Sequence, residues 1–442
     1  VEETPSPETA AASLAALLTP EGMRLLDGLG PYREDEALQQ ISRLRAEGFA
    51  PELISAAMTQ SRLRTAAAAK FGEFAQHMLF TQDGLEQATR LSVSAVHASR
   101  YVQAGVRRVA DLGCGIGADA MTLASAGLDV TAVELDETTA AVATVNLTPF
   151  PETRVVQADV QSLDLDELPG GRPEALWLDP ARRETAGASR RIFDPEAFSP
   201  PLSFVEALAD SGMPVGVKMG PGLPHAAVPE GCEAQWISHR RDVVEVVLWF
   251  GALARPGIRR AALVMGEQGH HELVSSAEFP EPSDGPPEHA AQTEAPETES
   301  VSWPPVTAGN VLWEPDGAVI RAGLVQDLAG RLGARLVHPR IAYLTAPGQP
   351  ERDPSTPYAR AYRVREVLPH TVKVLKTWVK RHRVGTLEIK KRGTDVTPEQ
   401  LRRQLKPSGP NRATLIVTRL WEADDQGRSG ERRAVLVVEP MS

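Results

Sequence analysis

The sequence predicts an α/β protein built on a seven-strand doubly wound (Rossmann-like) sheet, with a helical cap ahead of it and a smaller α/β domain behind it. Three observations carry this. Apolar runs of strand length alternate with helical patterns between residues 106 and 264. The first run ends in Gly113-Cys114-Gly115-Ile116-Gly117, a strand, glycine turn and helix start of the kind that opens a nucleotide-binding unit. An acidic residue then closes each of the next three runs: Glu134, Asp159 and Asp179.

Residues 1–100 read as the helical cap. Thr19 is placed to cap a helix whose first position is Pro20. Residues 34–47 carry Leu38, Ile41 and Leu44 at helical spacing, and 51–70 continue alanine-rich. Residues 70–80 are less regular and are expected to line a cleft. From Leu85 another helix is expected through Val93, Val96 and Val102. Residues 101–277 hold the sheet, with strands predicted at 106–112, 129–134, 154–158, 175–178, 214–218, 243–250 and 261–264. Helices, among them 138–146 and 200–209, are expected between the first five, and the last two strands are expected to form an antiparallel pair.

Residues 278–305 form a linker: 278–299 contain seven acidic residues, five prolines and no Lys or Arg, too little apolar surface for a core. Residues 306–442 recover strand and helix patterns. Residues 323–332 look helical, and 369–382 are predicted as an amphipathic helix with Val372, Leu375 and Val379 in one stripe and Lys373, Lys376, Lys380 and Arg383 beside it. Strands are expected at 385–391, 413–420 and 434–439, with a short helix ending near Leu405. Residues 360–412 contain 15 Lys or Arg against four Asp or Glu, although the whole chain carries −11. A basic patch in an acidic chain suits binding of a phosphate backbone by this domain.

Length, 442 residues, leaves room for two or three domains. No apolar run is long enough to span a bilayer, and no charged-then-apolar leader is visible. Cys114 and Cys232 are too few for a disulfide framework or a cysteine-rich zinc site, so no metal is expected. A reduced, cytoplasmic protein is the expectation.

The acidic series narrows the ligand. A pyrophosphate wants a helix N-terminus aimed at it. S-adenosylmethionine (SAM) carries a sulfonium, an amine and ribose hydroxyls but no phosphate, and wants carboxylates with close backbone approach. Asp111 stands before the glycines, where it can meet the amine through the loop, and Gly113, Gly115 and Gly117 admit the ligand. Glu134 is placed for ribose hydroxyls and Asp159 for the adenine amine. A dinucleotide reading accounts for Gly113, Gly115 and Ala118, but not for Asp159 or the fourth-strand motif. That motif, Leu178-Asp179-Pro180-Ala181-Arg182-Arg183, points a carboxylate into the crevice, with Pro180 fixing the turn. Asp179 can orient an acceptor or take its proton. Arg182, Arg183, Arg190 and Arg191 are candidate phosphate clamps. Lys218 and Glu245 fall on the following strands and are candidates to work with Asp179. Lys373, Lys376 and Lys380 are candidate contacts to a phosphate backbone. Cys114 and Cys232 are badly placed for a nucleophile.

At these residues the chain resembles class I SAM-dependent methyltransferases. More closely, it resembles the bacterial family that joins such a domain to a C-terminal THUMP-like domain. The stretch from Asp111 to Gly117 matches the first motif, Glu134 the second, Asp159 the third and Asp179-Pro180 the fourth. Leu85-Glu86-Gln87-Ala88-Thr89 resembles the segment placed against the cofactor, which implies Glu86 and Thr89 as cofactor contacts. THUMP domains are associated with RNA modification, so the resemblance implies RNA as substrate. The chain departs from amine methyltransferases of nucleic acids, which follow the acidic or amide residue with Pro-Pro and an aromatic. Asp179-Pro180-Ala181-Arg182 has no such aromatic, which leaves base and ribose methylation both open. Two alternatives stand beside this reading: a non-catalytic RNA-binding protein on the same scaffold, and a methyltransferase for a small molecule or protein.

Overall fold

The computed structural model describes residues 14–182, 194–267, 269–279, 304–347, 355–423 and 429–441. The chain divides into two compact units, Val1–Lys218 with Phe250–Leu253, and Met219–Trp249 with Ala254–Ser442.

The first unit begins with α1 (Pro20–Asp27), α2 (Ala37–Ala46) and α3 (Pro51–Phe71). Thr19 Oγ1 accepts the Gly22 N–H at 3.0 Å, and Pro20 occupies a position that needs no N–H. Leu44 packs inward on α2, whereas Leu38 is 81% exposed. Residues 78–80, expected along a cleft, are core instead: Met78, Leu79 and Phe80 are all buried. The single helix expected from Leu85 is two, α4 (Gln82–Gln87) and α5 (Leu91–Gln103), because Ala88 adopts an extended ψ of 136° that breaks the run.

The sheet of this unit contains β1 (Arg108–Leu112), β2 (Asp129–Glu134), β3 (Arg154–Gln157), β4 (Ala175–Leu178) and, after a two-residue pair β5 (Ala181–Arg182) and β6 (Phe198–Ser199), β7 (Val215–Met219). Three helices connect them, α6 (Ala118–Ser125), α7 (Glu137–Leu147) and α8 (Leu202–Asp210). The order is β7-β4-β1-β2-β3, all parallel. The chain steps outward from β1 to β3, then restarts on the other side at β4. The reversal between β1 and β4 opens the crevice where ligands bind in doubly wound sheets. Contrary to the expected alternation, turns rather than a helix join β3 to β4. Asp159 and Asp164 cap these turns by accepting the N–H groups of Gln161 and Asp166.

In the second unit the expected antiparallel pair is corrected. Residues 243–250 and 261–264 do form strands, β9 (Asp242–Phe250) and β10 (Arg260–Gly266), but each flanks β8 (Glu233–His239), and β11 (Gly269–Ser275) extends the edge. The order is β11-β10-β8-β9, with β8 antiparallel to β9 and parallel to β10. β8 was hidden by its polar residues, which are satisfied internally. Glu233 is held by Arg255 at 2.6 Å, and Gln235 bonds Glu272 and Trp249 at 2.6 and 3.0 Å. The β8–β9 turn is Arg240-Arg241, with φ of 51° and 75°, a hairpin without the usual Asn or Gly signal.

The C-terminal part adds β12 (Val311–Pro315), α9 (Gly317–Arg321), α10 (Val325–Leu332), β13 (Arg335–His338), β14 (Ile341–Ala346), β15 (Ala359–Pro369), α11 (Val372–Arg381), β16 (Val384–Lys391), α12 (Pro398–Leu405), β17 (Asn411–Ala423) and β18 (Ser429–Pro440). The strand order is β13-β14-β12-β15-β18-β17-β16, antiparallel except for β16–β17. The buried stripe of α11 is Leu375, Trp378 and Val379, packed on Leu401, Leu415 and Val435. Val372, expected in that stripe, is 41% exposed. This sheet is fastened to β8–β11: Arg260 donates to the carbonyls of Ala322 and Gly323, and Tyr358 to that of Glu272. The expected linker falls largely on residues 280–303, outside the described residues. No described helix is long and apolar enough to cross a membrane.

One side chain ties the cap to the nucleotide-binding half. Asn146, buried on α7, donates to Leu79 O at 3.0 Å and Ile116 O at 2.9 Å and accepts the Leu79 N–H at 2.7 Å. Asn146→Leu strands three buried backbone groups. It should cost about 3 kcal/mol in urea unfolding, and a loss below 1 kcal/mol would show that the tie is dispensable.

Candidate active site

The glycine loop is built from conformations that side chains resist. Gly113, Gly115 and Gly117 have φ of 87°, 56° and 84°. The N–H groups of Gly113 and Cys114 both reach Val133 O, at 2.8 and 2.9 Å, pinning the loop to β2. Gly115 N–H donates to Glu134 Oε2 at 2.9 Å, and Asp136 N–H to Glu134 Oε1 at 2.9 Å. Glu134 is thus locked in orientation at the end of β2. Leu135, directly after it, leaves its apolar side chain 63% exposed. Burial pushes the Cys114 thiol up, away from the reactive thiolate.

Below the loop lies a carboxylate with nothing to balance it. Asp111 is buried, and neither of its oxygens has a hydrogen-bond partner among the described residues. Burial drives its pKa well above the ordinary value, and the charges of Asp119, Asp179 and Glu134 push the same way; the nearby Ala120 N–H, short of a formed hydrogen bond, opposes them and is the smallest influence. Asp119 is the contrast. Burial would raise it, but His97 Nδ1 at 3.2 Å, Lys218 and Ser94 outweigh burial and hold it at about 2. Ser94 Oγ bonds both Asp119 and Thr122, and His97 packs on Trp177 with ring centroids 4.5 Å apart. Trp177 therefore packs, as its strand position suggested.

Asp179 lies just past β4, beside the loop: a Cβ on Gly113 would stand 3.9 Å from its carbonyl oxygen. Its Oδ2 is ion-paired with Lys218 Nζ, and Lys218 also donates to Thr89 Oγ1 at 3.0 Å. Asp179 is the more exposed of the pair, with 29% of its side chain accessible against 14% for Lys218. Thr89 is held in turn. Lys70 Nζ donates to the carbonyls of Leu85, Glu86 and Ala88 at 2.7, 2.7 and 2.9 Å, closing the end of α4. Gly84 fits against Ile116 of the loop, where a Cβ would come within 2.4 Å of Cγ2.

The structure thus brings Asp111, the three glycines, Glu134, Thr89, Asp179 and Lys218 together in one unit. Pro180 is buried beside Asp179. Asp159 is exposed beyond the end of β3 rather than on it. Glu86 points its exposed carboxylate at Gln82 and contributes only its carbonyl to the Lys70 tie. Glu245 belongs to the second unit, buried in β9 opposite Ile237. The backbone of Arg182 pairs in β5, but its side chain lies outside the described residues, as do Arg183, Arg190 and Arg191. Lys373, Lys376 and Lys380 are exposed on α11 of the second unit. Sequence reading missed Lys70, Ser94, His97 and Asp119. Ser94 and His97, like Asp119 and Thr122, are polar pairs three residues apart on mostly apolar helices, a spacing that could have flagged them.

Comparison with known proteins decides the family. Residues 73–167 match the methyltransferase small domain, 359–437 the THUMP domain-like family, and 10–67 a domain of unknown function. Uncharacterized S-adenosylmethionine-dependent methyltransferases from two Mycobacterium tuberculosis strains, CDC 1551 / Oshkosh and H37Rv, are each 31% identical over 393 residues, 86% of this chain and 95% of theirs. The chain belongs to the S-adenosylmethionine-dependent methyltransferases. A crystal structure from Porphyromonas gingivalis W83, provisionally described as a methyltransferase, shares the fold at a TM-score of 0.66 and 19% identity, over 93% of this chain and all of that one.

The residues fit the methyl donor of this family. The uncompensated carboxylate of Asp111 wants a cation or N–H donor, and the open space at Gly115 admits a ligand to the backbone. Above its raised pKa, Asp111 burdens the protein with a buried charge, so its contribution to stability falls as pH rises through that pKa. Asp111→Asn should raise the melting temperature of the ligand-free protein at neutral pH. It should also weaken SAM binding about tenfold, the worth of a charge-assisted hydrogen bond; calorimetry showing unchanged affinity would exclude this role. For Asp119 the sign is opposite. A carboxyl lowered from 3.8 to about 2 contributes stability that is lost as pH falls from 4 through 2. Asp119→Asn should remove that acid-side decline and cost about 2 kcal/mol at neutral pH, measured by thermal unfolding across pH.

Proposed function

We propose that this methyltransferase modifies RNA. The first unit holds SAM, with Asp111 and the glycine loop taking its methionine end, Glu134 the ribose hydroxyls, and Leu135 and Asp159 the adenine. Bound there, SAM supplies an electrophilic methyl group on a sulfonium. The protein's part is chiefly positioning. The observation that carries the reading is the chain Thr89–Lys218–Asp179 beside the glycine loop, at the reversal of the sheet. Lys218, fixed by Thr89, holds one oxygen of Asp179. So oriented, the Asp179 carboxylate can position an acceptor N–H or O–H, or accept its proton.

The THUMP-like match over residues 359–437 and the exposed Lys373, Lys376 and Lys380 support RNA as the acceptor. Such lysines neutralise phosphates without reading sequence.

The test is transfer of labelled methyl from SAM to total RNA from cells lacking the gene. The intact protein should label RNA. Asp179→Ala should lower the rate at least 100-fold, the range of a lost acid–base or orienting group, while SAM affinity changes only a few-fold. Label appearing in protein or small molecules but not in RNA overturns the RNA reading. An unchanged rate overturns the role of Asp179.

A further inference from the structure

The second unit contains a groove of about 740 Å³ that the methyl-transfer site does not use. It lies between the C-terminal end of α11 and strands β15 to β18, within the stretch that matches the THUMP-like family apart from its β18 rim. At its wall two rings are stacked. Trp378 and His382, one helical turn apart, have centroids 4.3 Å apart and planes inclined by 25°. The stack is held at both edges. His382 Nδ1 faces the Trp378 carbonyl at 3.0 Å, so this nitrogen carries the proton and donates. Trp378 Nε1 donates to Glu366 Oε1 at 3.0 Å, and His382 Nε2 lies 3.7 Å from the same oxygen. The indole is buried, but the imidazole keeps 39% of its side chain exposed. One face of the imidazole is covered by the indole, and the partly exposed side chain lines the groove.

The charges identify what fits. Arg365 and Arg412 line the groove together with Glu366, Glu388 and Glu439. Arg365 is ion-paired with Glu439. Glu388 accepts the Thr414 hydroxyl at 3.1 Å. Two cations against three carboxylates give no surplus for a phosphate. They do offer acceptors for N–H groups beside a rigid aromatic platform. A neutral, flat heterocycle with N–H donors meets both conditions. The phosphates of the same strand have their own partners on the neighbouring face of α11, where Lys373, Lys376 and Lys380 are exposed.

We propose that this groove takes an unpaired nucleobase of the RNA substrate, stacked on His382. The inference rests on RNA being the substrate and adds how the strand is gripped. A base on a pre-ordered ring loses little freedom on binding, and base–aromatic stacking tolerates any sequence. The lysines then supply affinity and the groove fixes register along the strand.

Fluorescence anisotropy on the full chain separates the two contributions. The probes are a labelled 12-nucleotide single-stranded RNA and the same ribose-phosphate chain lacking its bases. The intact protein should bind the complete RNA at least tenfold more tightly than the abasic chain, within the range of stacking energies. His382→Ala should abolish most of that difference and leave abasic binding unchanged. His382→Phe, which keeps a ring to stack on, should restore it. Lys376→Ala should weaken both probes alike and flatten the salt dependence. Equal binding of the two probes by the intact protein, or an equal loss for both with His382→Ala, overturns the groove and leaves the RNA reading standing. Binding of neither probe, with SAM binding intact, overturns both.

Discussion

The carboxylate of Asp111 is the constraint around which the site is arranged. Burying an ionised group without a partner costs several kcal/mol, and a fold keeps such a residue only where something repays it. The strand that carries Asp111 is fixed by parallel neighbours on both sides, β2 and β4, so the side chain has no way out to water. The glycine loop arches over it in a conformation that only glycine adopts readily. Contrast with Asp119 shows what the fold does when it means to satisfy a carboxylate: Ser94 and His97 both reach its Oδ1. Asp111 is given none of these, and a cationic ligand is the simplest counterpart to its charge.

The Asp179 side of the site is arranged by a sequence of ties rather than by one residue. Lys70 closes α4, α4 presents Thr89, Thr89 orients Lys218, and Lys218 holds Asp179. Each tie is local and polar, whereas the placement of the whole segment is apolar: Met78, Leu79 and Phe80 are core, and Gly84 seats against Ile116. Hydrophobic burial fixes where the segment lies. Hydrogen bonds then fix how its last residues face, the distance-sensitive part of the arrangement.

How much of this could be read from the sequence depended on whether the signal was local. Strands β2 and β4 are short apolar runs closed by an acidic residue, β1 is one closed by the glycine loop, and their ends fell where expected. Glycines at alternate positions announced the loop, because a positive φ leaves few other choices. β8 was lost because Glu233 and Gln235 look exposed until Arg255, Glu272 and Trp249 are brought to them from elsewhere in the chain. The break between α4 and α5 was lost because nothing at Ala88 forbids a helix; tertiary packing breaks it. Lys70 showed no local sign of its role, since the three carbonyls it binds lie 15 to 18 residues away. Val372 was placed in the wrong stripe because Trp378 shifts the buried face of α11 by part of a turn. The match of Asp111, Glu134 and Asp179 to the ends of β1, β2 and β4 was legible because topology repeats that position in every unit of a doubly wound sheet.

The way the C-terminal sheet is fastened changes what the acidic segment is for. Arg260, Tyr358 and the close seating of Gly317 on Val243 join that sheet to β8–β11 within one compact unit. The covalent path through residues 280–303 is therefore not what keeps the two pieces of this unit together. A cut within that path would leave two fragments that still share this interface.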